Sequence, residues 1–350
     1  MIEVQTVFRF ECDYGEGAVQ KIIERLGETN LEQTCGYGLD DHCERARALI
    51  AKHLGNADAD IHLMVGGTQV NLTVIAAALR PWQGVIAAHT GHINVHESGA
   101  IEATGHKVLP LQGKNGKITA GQIDACCTAH WADTTHEHIV QPAMVYISQP
   151  TEYGTLYTKE ELTGMRAVCD KHHLMLYIDG ARMGYGLTAE GNDVSLEDLA
   201  ALSDAFYIGG TKVGALFGEA LVITNPSLKT DFRYIMKQRG GMLAKGRLLG
   251  IQFECLFEDD TYFEISKHAN SQAARLRRAF QSKGISFLIE SPTNQLFPVL
   301  TEAQMAALEQ DFAFSYWEKV DENHHCVRFC TSWATKAEAV DRLIHAISSL

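Results

Sequence analysis

From about residue 58 to residue 225, short apolar runs alternate with stretches of helical periodicity. IHLMV (61–65) predicts a strand ending at Gly66-Gly67, and the following TQVNLTVIAAALR carries apolar residues at helical spacing. Further strands are predicted at GVIAA (84–88), KVLPL (107–111), AMVYIS (143–148), LMLYID (174–179), AFYIGG (205–210) and EALVITN (219–225). Most are separated by helix-length segments, the order required by a mainly parallel seven-stranded sheet with crossover helices, an α/β fold. Several lack polar alternation, as strands covered on both faces do. Beyond Pro226 the texture changes. A mainly helical stretch (227–283) leads into ISFLIE, QLFPVL, AFSYWEKV and CVRFCTS in close succession, with helices at 302–311 and 336–349. The expectation is a large domain over residues 1–245, N-terminal segment included, and a smaller α+β domain over 246–350.

Composition narrows the class. A chain of 350 residues with 46% hydrophobic content can bury a large core. The formal net charge of −13, with scattered basic residues, lacks the footprint that nucleic-acid binding needs. No apolar run reaches the roughly 18 residues of a membrane span. MIEVQTVFRFECD is acidic within its first residues, unlike a cleavable leader. We therefore expect a cytoplasmic protein without a membrane or nucleic-acid partner. The nine cysteines are irregularly spaced, which favours reduced thiols. Cys126-Cys127, and Cys326 and Cys330 beside His324-His325, raise the idea of zinc, but a second CxxC or an HxxxH partner is missing and no metal is expected.

Four segments can carry chemistry. In AFYIGGTKVGALFGEALV, Lys212 stands between glycines and apolar strands, where desolvation would favour the neutral amine that forms imines; a surface turn lysine is the plainer reading. In YIDGARMGYG, Asp179 ends a buried strand at the edge where open α/β sheets bind ligands. An acid held there calls for a cation, such as a protonated pyridine nitrogen, unless it only caps a turn. VGGTQVN supplies a glycine pair and Thr68 at a helix start, a potential anion site or an ordinary turn. In HTGHINVHESGA, His89, His92 and His96 have a spacing that can bind a metal if helical; a histidine there can also stack on an aromatic cofactor or serve the core. Arg182 and Arg328 are candidates to clamp a substrate carboxylate.

With these pieces in order, the sequence resembles the β-eliminating lyase and low-specificity L-threonine aldolase family of fold-type I pyridoxal-phosphate enzymes. The resemblance runs through FECDYGEGA, GYGLDDHCERARALIAKHLG, GGTQVN, GHINVHESGAIEATGHKV, YIDGARMGYG, GGTKVGALFGEALV and VRFCTSWAT, nearly the whole chain. It implies an aspartate aminotransferase-like fold and pyridoxal 5'-phosphate carried as a Schiff base on Lys212, with Thr211 beside it. It makes Asp179 the partner of the pyridinium nitrogen, Gly67 and Thr68 the phosphate site, and His92 the ring-stacking histidine. Arg182 and Arg328 look like carboxylate-binding arginines, and Arg182 also neighbours the cofactor. Tyr37 looks like a tyrosine reaching the site from a neighbouring subunit, which implies a homodimer or homotetramer.

The sequence departs from the family pattern in places. Cys12 stands where threonine aldolases usually carry a serine near the carboxylate, and SQPTEYGTLYT replaces an asparagine- and glycine-rich stretch. His130, His136 and His138 are alternatives for the histidine that activates the substrate hydroxyl. The expected reaction is Cα–Cβ cleavage of an L-β-hydroxy-α-amino acid to glycine and an aldehyde. The alternatives are β-elimination, transamination or racemisation on the same cofactor and, more remotely, a metal-dependent hydrolase built on His89, His92, His96 and Glu97.

Overall fold

The computed structural model describes residues 7–55 and 58–350. Residues 1–6, part of the segment read against a cleavable leader, lie outside the described residues. The strands are β1 (Phe8–Arg9), β2 (Asp60–Met64), β3 (Gln83–Ala88), β4 (Lys107–Leu111), β5 (Gln141–Ser148), β6 (Met175–Asp179), β7 (Ala205–Gly209) and β8 (Glu219–Ile223), then β9 (Gln295–Leu296), β10 (Val299–Thr301), β11 (Phe312–Ala313), β12 (Ser315–Lys319) and β13 (His324–Cys330). Strands β2 to β8 form one seven-stranded sheet in the order β2-β8-β7-β6-β5-β3-β4. Each falls where an apolar run predicts it.

Pairings from β4 through β3, β5 and β6 to β7 are parallel, and β8 alone runs against its neighbours β7 and β2. The reason is local. A parallel return needs a crossover of about a dozen residues or more, and the loop 210–218 is too short to supply one.

Alternate residues of these strands enter two different cores. Ile147, Ile178, Phe206 and Val222 face one, while Tyr146, Tyr177, Tyr207 and Leu221 face the other. Both faces are dry, which is why the strands read as nearly unbroken apolar runs.

In the C-terminal part β13 is central, pairing antiparallel with β9, β10 and β12, while β11 pairs parallel with β1. A third core gathers Phe10 with Leu276, Phe280, Val327, Phe329 and Leu343, so the N-terminal segment packs with the C-terminal residues. The expected strand ISFLIE does not form; Phe287 makes only an isolated bridge to Pro298. Pro298 has no N–H to give β13 and splits QLFPVL into β9 and β10, and residues 285–290 meet 297–299 through two hydrogen bonds, Leu288 N–H to the Phe297 carbonyl and Val299 N–H to the Ser286 carbonyl. Helix Arg247–Glu258 buries Leu249, Ile251, Phe253 and Leu256 in the first core. The following helix Thr261–Ser282 joins cores, with Tyr262 and Ala269 in the first and Leu276 and Phe280 in the third. Among the described residues, no helix is long and apolar enough to cross a membrane, and all nine cysteines are free.

Candidate active site

The carboxyl edge of the large sheet gathers the chemistry. Asp179 is the last residue of β6 and pairs in register with Ser148, the last of β5. The turn after β7 presents Thr211 and Lys212, and Gly66, Gly67 and Thr68 follow β2 at the start of helix Gly67–Ala78. These segments enclose a cavity of ≈ 280 Å³. Of the residues singled out from sequence, Gly67, Thr68, His92, Asp179, Arg182, Thr211 and Lys212 line it.

Asp179 is 4% exposed, and four donors aim at its carboxylate. Tyr146 Oη donates to Oδ2 at 2.7 Å and Asn71 Nδ2 to the same oxygen at 3.1 Å. Tyr207 Oη and the Ala181 N–H donate to Oδ1. Burial alone would push this carboxyl up; the positive charge of His92 and the tyrosine hydrogen bonds outweigh it and hold the group below its ordinary value. Among the described residues, no lysine or arginine forms an ion pair with this buried anion. His92 turns Nδ1 toward Glu97 Oε1 at 2.7 Å, and Asn71 bridges that carboxylate to Asp179. Burial opposes the imidazolium, but Glu97 and Asp179 more than compensate and raise its pKa.

Lys212 has the opposite environment. Its backbone is fixed by Tyr185 Oη, which donates to the Lys212 carbonyl at 2.6 Å. Burial, assisted by the charge of Arg182, lowers the pKa of its amine despite the opposing pull of Asp13, Asp179 and Glu219. The neutral nucleophilic form is thereby favoured.

At the other end of the cavity, the first intrahelical hydrogen bond of helix Gly67–Ala78 comes from Val70 N–H, so the N–H groups of Gly67 and Thr68 precede the helical ladder. Such an end attracts anions. Gly67 is required for a steric reason as well: a Cβ there would lie 2.8 Å from Tyr207 Oη, the hydroxyl that serves Asp179.

The remaining predicted residues lie outside the cavity lining. Arg182 does line it, but gives Nε and Nη2 to Asp13 at 2.7 and 2.9 Å. Arg328 stacks over Trp317, with its guanidinium carbon 5.5 Å from the ring centroid, and donates through Nη2 to the Glu11 carbonyl; its buried Nε has no hydrogen-bond partner. Cys12 lies near Gly15 in the N-terminal segment. Tyr37 is a surface residue with φ 60°, and Lys237 Nζ lies 4.5 Å from its ring centroid. His130 and His136 pack edge-on with Trp131, away from the cavity, and His138 is likewise absent from its walls. His89 uses Nδ1 to accept from Gly113 N–H, and among the described residues no group of three or more His, Cys, Asp or Glu side chains is placed to hold a metal ion.

Several contributors were not singled out from sequence. Tyr146, Tyr207 and Asn71 orient Asp179, and Glu152 and Glu219 line the cavity; Glu97, read from sequence only as a member of a metal set, instead orients His92. Period-two alternation holds the missing signal: Tyr146, Tyr177 and Tyr207 must share one sheet face with Asp179, two residues beyond Tyr177. Glu152 accepts from Ser148 Oγ and His92 N–H, and its burial raises its pKa.

Comparison with known proteins adds independent findings. Residues 16–303 match the family described as beta-eliminating lyase. The low specificity L-threonine aldolase of Pseudomonas aeruginosa is 29% identical over 342 residues, covering 97% of this chain and 96% of that protein. The protein of the same name from Saccharomyces cerevisiae is 24% identical, covering 79% and 71%. Among solved structures, a threonine aldolase of Leishmania major superposes with a TM-score of 0.95 at 44% identity, covering 98% of this chain and 99% of that one. An aspartate aminotransferase of Thermus thermophilus shares the fold alone, with a TM-score of 0.72 at 14% identity over 98% of this chain and 91% of that one.

Proposed function

The chain belongs to the β-eliminating lyase family, with the architecture of fold-type I pyridoxal-phosphate enzymes, and on that premise we propose that it is a threonine aldolase-type lyase. It cleaves the Cα–Cβ bond of L-threonine, L-allo-threonine and related L-β-hydroxy-α-amino acids to glycine and an aldehyde, using pyridoxal 5'-phosphate held on Lys212. The observation that carries this reading is the joint presence, in one cavity, of a half-buried lysine amine with a lowered pKa and a buried anion lacking an ion pair to lysine or arginine.

The residues present fit the cofactor. A buried carboxylate with four donors is costly unless it meets a cation, and a protonated ring nitrogen is one. When bound, the cofactor supplies an electron sink for the amino acid's α-carbon. The chain's own residues do the rest. Lys212 holds the cofactor through its amine, and Asp179 keeps a proton on the ring nitrogen. Gly67 and Thr68 receive the phosphate on their N–H groups, with Thr211 alongside. His92, steadied by Glu97, covers the ring. Arg328, with Cys12 nearby, would hold the substrate carboxylate; Arg182 shares that task through what Asp13 leaves free. Holding that carboxylate fixes which α-carbon bond breaks.

Three further readings belong to the same proposal. Tyr37 completes the site of a neighbouring subunit, so the working form is a homodimer or homotetramer. The protein is cytoplasmic, in keeping with nine free cysteines. The chain is organised as a cofactor-binding unit, 1–245, and a smaller α+β unit, 246–350, whose cores meet along helix Thr261–Ser282.

Incubation with L-threonine, L-allo-threonine, phenylserine and serine tests the activity. An aldolase releases glycine and the matching aldehyde; ammonia with a keto acid would assign β-elimination instead. A product retaining both the whole carbon skeleton and the β-hydroxyl would point to transamination or racemisation.

A further inference from the structure

We propose that Glu219 completes the phosphate cradle as a neutral carboxylic acid, donating its O–H to the phosphate of the bound cofactor. The inference deepens the reading above and rests on it.

Sheet register places the residue. Glu219 opens β8 and pairs with Met64, the last residue of β2, immediately before Val65-Gly66-Gly67-Thr68. It therefore lies beside the free helix end and lines the same cavity. It is two strands from Asp179 on β6, about 10 Å by ordinary strand spacing, so the carboxyls mark opposite ends of one ligand.

The donor set shows what is missing there. Glu219 is 4% exposed and, among the described residues, has no ion pair with lysine, arginine or histidine. Oε2 already accepts from Gly210 N–H at 3.0 Å and Oε1 from Thr211 Oγ at 2.9 Å. Thr211 Oγ in turn accepts from Gly218 N–H. A protonated Glu219 has one hydrogen to place; Gly210 offers only an N–H, and Thr211 Oγ, which already accepts from Gly218 N–H, could take it only by giving up its own donation to Glu219. A phosphate oxygen accepts it without that exchange. An ionised Glu219, by contrast, would set a second anion against the phosphate with little solvent between them.

The charged and titratable neighbours agree. Burial pushes the Glu219 carboxyl up to about 8, against the Thr211 hydrogen bond, the charge of Lys212 and the Gly210 N–H, which favour the anion, and with Asp179, which opposes it. Tyr177 of β6, Tyr207 of β7 and Tyr262 of the helix Thr261–Ser282 also feel this carboxyl, and burial keeps all three phenols neutral. Of the cations lining the cavity, Arg182 is engaged by Asp13 and His92 by Glu97.

The test compares pyridoxal 5'-phosphate with pyridoxal, which lacks the phosphate, binding to cofactor-stripped protein across pH 7 to 10. The phosphate of a monoester has its second pKa at about 6 and does not titrate in this range. Both ligands share the aldehyde and the Lys212 amine, so their affinity ratio cancels the lysine's own titration. The expected result is that the phosphate ester loses affinity relative to pyridoxal by about tenfold per pH unit once Glu219 ionises in the free protein, above about 8. In Glu219→Gln, which keeps a donor but cannot ionise, the ratio becomes independent of pH. In Glu219→Ala it is also flat, but lower than in Glu219→Gln. A wild-type ratio that does not change with pH overturns the proposal, even if both variants fail to fold. A pH-dependent ratio retained in Glu219→Gln overturns it too. Failure of both ligands to form a Lys212-dependent visible absorbance would instead overturn the cofactor reading itself.

Discussion

Asp179 and Lys212 are both withdrawn from water, yet only the aspartate is provided with partners suited to its charge. The carboxylate has four donors, whereas Lys212 Nζ meets opposing charges without a hydrogen bond recorded to any of them. Two consequences follow for stability. In the cofactor-free protein, Lys212→Met should raise unfolding stability while abolishing activity, because an amine whose charged form is disfavoured by desolvation is replaced by an uncharged side chain; equal or lower stability in urea titration would contradict this. Asp179→Asn should cost about 2–4 kcal/mol and remove most activity, since donors arranged for an anion lose their acceptor. The folded-state pKa of Asp179 lies below the ordinary 3.8, so the stability it contributes is full above that value and is lost as pH falls through the folded pKa. The gap between wild type and Asp179→Asn should therefore narrow below about pH 4. Asp179 was legible in the sequence because it ends a buried strand beside glycine, and Lys212 because it follows one across a glycine turn. Glu219 was not: a glutamate opening a strand after glycine looks like a solvated charge, and only the pairing of β8 with β2 brings it to the cavity.

At the level of elements, the seven strands were legible because both sheet faces are buried, which turns each strand into an apolar run. Residues 285–290 read the same way, yet they meet their neighbour through a single bridge, Phe287 to Pro298; pairing depends on a second segment that periodicity in the first cannot report. The tyrosine layer was hidden by the same uniformity, since Tyr146 and Tyr207 look like core until their hydroxyls are seen to meet Asp179. Gly67 shows how tightly these elements are fitted. Gly67→Ala would put a methyl 2.8 Å from Tyr207 Oη but 3.6 Å from Cζ, so removing the hydroxyl removes the clash. Gly67→Ala should weaken cofactor binding about tenfold, and the double variant with Tyr207→Phe should bind better than the sum of the two single effects predicts. Strict additivity would show that the glycine is needed for something else. In SQPTEYGTLYT, by contrast, the terminal Thr158 has a local role. Its hydroxyl accepts from Glu161 N–H while the Glu161 side chain accepts from Thr158 N–H, a reciprocal cap on helix Lys159–His172. Thr158→Ala should cost about 1 kcal/mol in thermal unfolding and leave turnover unchanged.

Over the whole molecule, the cavity is built from one chain's sheet edge, while Tyr37 faces outward among other exposed apolar residues. Leu31 is 91% exposed, Leu39 65% and Tyr234 79%. A surface of this kind suits burial against a second copy, and no periodicity in a single chain can reveal it. Dilution should therefore lower specific activity in step with dissociation observed by light scattering; a fully active monomer would remove Tyr37 from the site. The central claim is that pyridoxal 5'-phosphate is carried by Lys212 at the ligand-binding edge of the sheet. Borohydride reduction of the holoprotein followed by peptide mass mapping tests it most directly. The expected result is one phosphopyridoxyl group per chain, on the peptide containing Lys212, and none on Lys212→Ala. A label on another lysine, or no label at all on protein saturated with the cofactor, would contradict it.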